Sequence, residues 1–213
     1  MMTTFILNNI RSDAPTMQAQ AIAFLKENAD PGVRFRPEEQ MNAALETGQG
    51  LVLTQAGRVA GCSLVYKFDC QPELPIFSEI GTMRVTANGY GLQEFLAKFH
   101  LIQIRLEEYD EATLPSAFAV VAPGTASEYV LSEKSSMKRW APPPSLISTR
   151  AESGVPFSGE KYALSAQQEA FDAAFADLRK LHKTGRVFQT PKSEGEVEIQ
   201  LKWFEPALLA RGP

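Results

Sequence analysis

Glu79-Ile80-Gly81-Thr82-Met83-Arg84-Val85-Thr86-Ala87-Asn88-Gly89-Tyr90-Gly91-Leu92-Gln93 is the stretch on which the reading of this chain turns. Ile76 to Val85 reads as a strand, and strict alternation puts Phe77, Glu79, Gly81, Met83 and Val85 on one face. Gly89 and Gly91 make a turn, and a long helix follows. Leu92, Phe95, Leu96, Phe99, Ile102, Leu106 and Tyr109 recur at helical spacing in one apolar stripe. A strand that leaves through glycines into a helix presents unpaired backbone N–H groups at the positive helix end, a natural cradle for phosphate or pyrophosphate. The Gly-Lys-Ser/Thr ending of a P-loop is missing, as is a full dinucleotide fingerprint. The bland alternative is that both glycines merely punctuate a turn.

Working outward, Phe5 to Leu7 suits a short first strand and Pro15 to Ala29 a helix ended by Asp30-Pro31-Gly32. Pro37-Glu38-Glu39 opens a second helix that closes near Gly48. Leu51–Gln55 and Arg58–Phe68 form a hairpin around Ala56-Gly57. Beyond the long helix, Ala117 to Ala122 suits a buried strand, and Thr125 to Lys134 a helix with Thr125 as its N-cap.

The 213 residues are 44% hydrophobic and 22% charged, enough for an ordinary globular core. A net charge of −4 argues against nucleic-acid binding. No apolar run approaches the roughly 18 residues of a membrane span, and no secretory signal is visible, so a soluble cytoplasmic α/β protein is expected. Cys62 and Cys70 make no disulfide framework, and His100 and His182 make no metal site. His100 reads as a boundary histidine beside the helix stripe. His182 fits a helix C-terminus, where positive charge is favourable.

The segment from about Pro15 to Trp140 resembles the GNAT N-acetyltransferase superfamily, which takes its acyl group from acetyl-CoA. The family signature is a strand, then Gln/Arg-x-x-Gly-x-Gly/Ala at the start of a long helix. Asn88 to Gln93 occupies it, with Gly91 at the first required glycine and Gly89 where the family often has one. Asn88 replaces Gln/Arg, Gln93 replaces the last small residue, and Met83 stands where the family usually has Val. Thr125 to Met137 is similar to the family's Asn-to-Gly-Phe helix, with Ser136-Met137 for Gly-Phe.

The resemblance implies a mixed, mostly antiparallel sheet flanked by helices. It implies a pantetheine arm lying in a splay between the strand of Met83 and the strand Ala117–Ala122. Backbone groups of Met83, Arg84 and Val85 would pair with the pantetheine. The amides of Asn88, Gly89, Tyr90, Gly91, Leu92 and Gln93, with Thr125 nearby, would hold the pyrophosphate. Acetyl transfer to an amine needs a base and an acid. Glu79, sharing a face with Met83, is the base candidate, against a plain structural role. The family's tyrosine acid aligns with Ser132, a poor proton donor, and Tyr129 is one turn earlier, where packing is its duller role. The expected function is acetyl transfer to a primary amine, small-molecule or peptide, with no metal. The alternative is a non-catalytic module that binds acyl-CoA or a protein partner.

Composition divides the chain into a core at 1–140, a connector at 141–160 rich in Pro, Ser and Gly, and an extension at 161–213. In the extension, Phe171, Ala174, Phe175, Leu178 and Leu181 form a stripe between Ser165, a capping residue, and Lys183. A hairpin follows, from Arg186–Gln189 and Glu196–Trp203. A unit of this size must dock, either on its own core or on a second subunit in a homodimer.

Overall fold

The computed structural model describes residues 3–11, 15–28, 36–70, 76–86, 89–107, 116–157, 159–190, 197–202 and 209. The first half runs β1 (Thr3–Arg11), α1 (Pro15–Glu27), α2 (Glu38–Glu46), β2 (Thr47–Gln55), β3 (Arg58–Phe68), β4 (Phe77–Val85) and α3 (Leu92–Glu107). It continues with β5 (Ser116–Val121), α4 (Ala126–Tyr129) extended by a π-helical turn at Val130–Lys134, β6 (Lys138–Trp140), α5 (Pro144–Glu152) and β7 (Tyr162–Ser165). It closes with α6 (Gln168–Leu181), β8 (His182–Thr184), β9 (Val187–Thr190) and β10 (Val197–Leu201).

The strands of the described residues form one sheet in the order β6-β7-β5-β4-β3-β2-β1-β10-β9-β8. Pairing is antiparallel throughout except β4 with β5 and β1 with β10. The mixed, mostly antiparallel sheet flanked by helices is the architecture expected from the order of elements. The Ala56-Gly57 hairpin is present, and both turn residues have positive φ, 48° and 77°. Two positive φ values in a two-residue turn match the right-handed twist of the strands they join.

Alternation along β2 and β3 sends residues to two cores. Leu51, Leu53 and Val65 pack with α3 and α6, whereas Val52, Cys62, Leu64 and Tyr66 pack with α1, α2 and Leu146 of α5. α3 is buried beyond its single stripe: Lys98, His100 and Leu101 are enclosed as well. α6 is the reason, because its Ala170, Phe171, Ala174, Phe175 and Leu178 join the core cluster of α3. The boundary position expected for His100 is therefore replaced by full burial at 1% exposure.

Two other expectations change. Residues 141–160 hold a helix, α5, which starts behind Pro143 with Pro144 at its first turn, where a missing N–H costs nothing. Ser165 caps no helix; it ends β7, an inner strand between β5 and β6, and α6 begins three residues later. The C-terminal hairpin docks on its own core, one of the two placements expected: β10 pairs with β1 and prolongs the sheet. Tyr109, Asp30, Asn88 and Trp203 lie outside the described residues.

Candidate active site

β4 and β5 pair only at Phe77↔Ser116, Ser78↔Ala117 and Glu79↔Phe118. Beyond that point β4 continues to Val85 and β5 to Val121 without pairing to each other. Their outer edges stay bonded to β3 and β7, so the inner edges alone are open. A cavity of about 220 Å³ fills the splay, lined on one side by Ile80 to Arg84 and on the other by Val120 to Ala122. Open strand edges are templates for an extended chain that carries amides.

A bulge decides which side chains enter. β3 pairs Leu64 with Gly81 but Cys62 with Arg84, so one extra residue of β4 is accommodated between them. Thr82 takes φ 43°, an uncommon value for a residue with a β-branched side chain. Residues directly opposite in a sheet share a face. Glu79 and Gly81 therefore lie with Tyr66 and Leu64 on the α1/α2 side, and Arg84 joins them through Cys62. Met83 is displaced to the α3 side, where it packs with Ile80. The expected shared face of Glu79 and Met83 is thus corrected: strict alternation fails at the bulge. Tyr66 Oη and Thr82 Oγ1, 2.8 Å apart, tie the bulge to β3. Burial pushes the Tyr66 phenol above its ordinary range.

Glu79 is 5% exposed and held by two arginines that the sequence reading did not single out. Arg150 donates from Nε to Oε2 at 2.9 Å and from Nη2 to Oε1 at 2.8 Å, while Arg36 Nη2 donates to Oε2. Arg36 lies over the Tyr66 ring at 4.4 Å and Arg150 over the Phe157 ring at 4.3 Å. Arg36 sits just before α2 and Arg150 in the last turn of α5, and Gln40 Nε2 bonds the Ser153 carbonyl at 2.8 Å to join the two segments. Three guanidinium hydrogen bonds take three of the roughly four lone-pair sites of the carboxylate and stabilise its charged form, which makes it a weaker base.

At the other end, Gly89 and Gly91 have φ 78° and 66°, values that demand glycine. A Cβ at Gly89 would meet nothing within 4 Å, so the turn is open on that side. α3 then starts with Phe95 N donating to the Gly91 carbonyl at 2.9 Å. The N–H groups ahead of Phe95 have no acceptor within the helix. Tyr90 packs its ring edge-on against Phe5, and its carbonyl accepts from Thr190 Oγ1 at 2.9 Å. Leu92 is buried in the core, so it offers backbone alone. Gln93 lines the cavity, and its Nε2 donates to Ser127 Oγ at 3.2 Å, joining α3 to α4.

Thr125 lines the cavity and caps α4, accepting from the Glu128 N–H at 3.2 Å. Arg84 lines it too, but its guanidinium bonds the carbonyls of Asn28 and Met83 at 3.1 and 2.9 Å. Val85 packs against the core. The two proposed acids are not brought to the cleft. Tyr129 is 54% exposed, with Lys134 over its ring, so the packing role also fails. Ser132 donates to the Glu128 carbonyl at 2.8 Å, the usual sink for a helical hydroxyl. Cys62 is buried, and burial pushes its thiol up to about 12, which leaves it inert.

No protein-family model matches the chain, and no curated protein matches it in sequence. Solved structures do resemble it. The Arabidopsis thaliana protein Naa50, in complex with a bisubstrate analogue, superposes with TM-score 0.51 at 14% identity, over 76% of this chain and 98% of its own. A mosquito arylalkylamine N-acetyltransferase-like protein gives TM-score 0.51 at 14% identity, over 76% of this chain and 99% of its own. With the splayed parallel pair, the bulged β4 and the glycine turn into α3, the chain has the fold of the GNAT acetyltransferases.

Proposed function

We propose that the protein is an acetyl-CoA-dependent N-acetyltransferase acting on a primary amine. The observation that carries this reading is the pair of open β4 and β5 edges leading to the glycine turn at the start of α3. An extended pantetheine arm can bond those edges as an added strand, and the unpaired N–H groups behind Gly91 suit its pyrophosphate. Acetyl-CoA supplies a thioester whose acyl carbon bonds the amine nitrogen as the C–S bond breaks, the amine proton ending on the released thiol.

The chain's part is to hold the amine at the thioester in its uncharged form. Glu79 is the only carboxylate among the described residues that line the cavity, and it fixes Arg36 and Arg150 in place. Two guanidiniums against one carboxylate leave a net positive charge beside the acceptor. Such a charge disfavours an ammonium and favours the neutral, nucleophilic amine. Glu79 is thereby a positioning residue, not a free base.

One observation favours a second reading, a non-catalytic module. The Gln93–Ser127 hydrogen bond lies across the cleft where the family keeps a small residue. Calorimetry with acetyl-CoA tests the first point, and no heat at millimolar ligand removes the proposal. Gly91→Glu places a carboxylate in the phosphate cradle at a φ that only glycine holds easily; it is expected to lower acetyl-CoA affinity at least about tenfold. Where acetyl-CoA binds, thiol release against a panel of amines separates enzyme from module.

A further inference from the structure

We propose that the acceptor amine also carries a carboxylate, which Arg150 and Arg36 recognise where β4 and β5 part; this deepens, and rests on, the acyl-transfer reading. The charge at that place is unbalanced. Arg36, Arg84, Arg150 and Lys161 line the cavity, against Glu79 as the one carboxylate among the described lining residues. The guanidiniums of Arg36 and Arg150 are nearly enclosed, at 7% and 4% exposure, so solvent screens them little. Glu79 uses Nε and Nη2 of Arg150, and Arg150 Nη1 is buried with no hydrogen-bond partner among the described residues. Among the described residues, Arg36 Nη1 has a long contact, 3.5 Å, to Gln40 Oε1. A buried donor without an acceptor is costly, and a guanidinium edge matches the two oxygens of a carboxylate.

Position supports the same assignment. Arg36, Glu79 and Arg150 lie on the α1/α2 face of the sheet, whereas the glycine turn feeds α3 on the opposite face. Donor and acceptor thus reach the gap from two sides. A purely cationic acceptor would meet net positive charge on its side. An amino acid brings a carboxylate that offsets that charge, so it is accommodated where a purely cationic amine is not.

The test compares kcat/KM for each common L-amino acid with that for its own α-amide, with spermidine and a lysine-containing peptide alongside. The amine of an amide is less basic, so amine chemistry alone favours the amide, and a preference for the acid must come from reading the carboxylate. The expected result is a preference of at least about a hundredfold for the best acid over its amide. Arg150→Lys keeps the charge but loses the fork; it is expected to raise KM for that acid about tenfold with the acetyl-CoA dissociation constant unchanged. Equal or better turnover of the amides, spermidine or the peptide overturns the proposal. No turnover of any acceptor overturns it too, and calorimetry on the same sample then tells whether acetyl-CoA binding, and with it the underlying reading, survives.

Discussion

Glu79 is held by two arginines that reach it from distant segments of the chain. The strand and the carboxylate were legible, because Glu79 stands four residues before Met83 in the stretch that leads to the glycine turn. Its partners were not, because Arg36 is 43 positions away and Arg150 is 71, and nothing local joins them. The bulge at Thr82 was equally hidden: a threonine at positive φ has no sequence mark, and one extra residue reverses every side chain beyond it. The network makes a prediction at this scale. Glu79→Gln leaves two buried guanidiniums without their counter-charge, and removing one member of a buried ion pair costs about 3–5 kcal/mol. Urea titration at pH 7.5 should show a loss of this size. A variant within about 1 kcal/mol of the parent, with turnover lost chiefly at low pH, would instead return Glu79 to the role of general base.

Among the elements, α3 and α4 were readable from apolar spacing and the Thr125 cap, whereas the link between them was not. Gln93 reaches Ser127 because the turns of α3 and α4 face each other over the splay, a relation set by β4 and β5. If that bond stands in the path of the pantetheine arm, opening it should help binding. A hydrogen bond of this kind is worth about 0.5–1.5 kcal/mol net, so Gln93→Ala should tighten acetyl-CoA about two- to tenfold by calorimetry. Unchanged binding would place the bond outside the path of the arm, and weaker binding would make the Gln93 amide a ligand contact. The C-terminal elements were legible one by one, as an amphipathic helix and two strands. Their docking was not, since a parallel pair between the first and last strands leaves no turn signal in the sequence. Phe175 has no exposed surface and lies in the cluster of α3, so it should behave as a residue of the central core. Phe175→Ala should cost about 3–5 kcal/mol, in one cooperative transition with the rest of the chain. A second, separate transition would mean that α6 and the hairpin fold on their own.

Over the whole molecule, α6 closes α3 from outside, and this burial gives the protein an acid-sensitive core. The order of elements from β1 to α4 could be read because each has its own period and turn, but β6, α5, β7 and the outer layer on α3 could not, and so His100 looked like a boundary residue. It is enclosed, with Nε2 2.9 Å from Ser63 Oγ, and burial pushes its imidazole down to about 3. The unfolded chain binds a proton at an ordinary value near 6.5. Between these two values the unfolded state carries the extra proton, so stability falls as pH falls. Above about 6.5 both states are neutral and the effect is absent. The slope approaches about 1.36 kcal/mol per pH unit, which amounts to about 2 kcal/mol between pH 7.5 and pH 5. His100→Gln keeps a polar partner for Ser63 without a titrating group, and it should be less stable than the parent at pH 7.5 because of its changed shape. Its deficit should then shrink by about 2 kcal/mol by pH 5, while carboxylates titrate alike in both proteins and cancel from the difference. Urea unfolding of both at pH 7.5, 6 and 5 measures this directly. Parallel stability profiles for the two proteins would mean that His100 titrates alike in the folded and unfolded chains, and that the core admits water along α3.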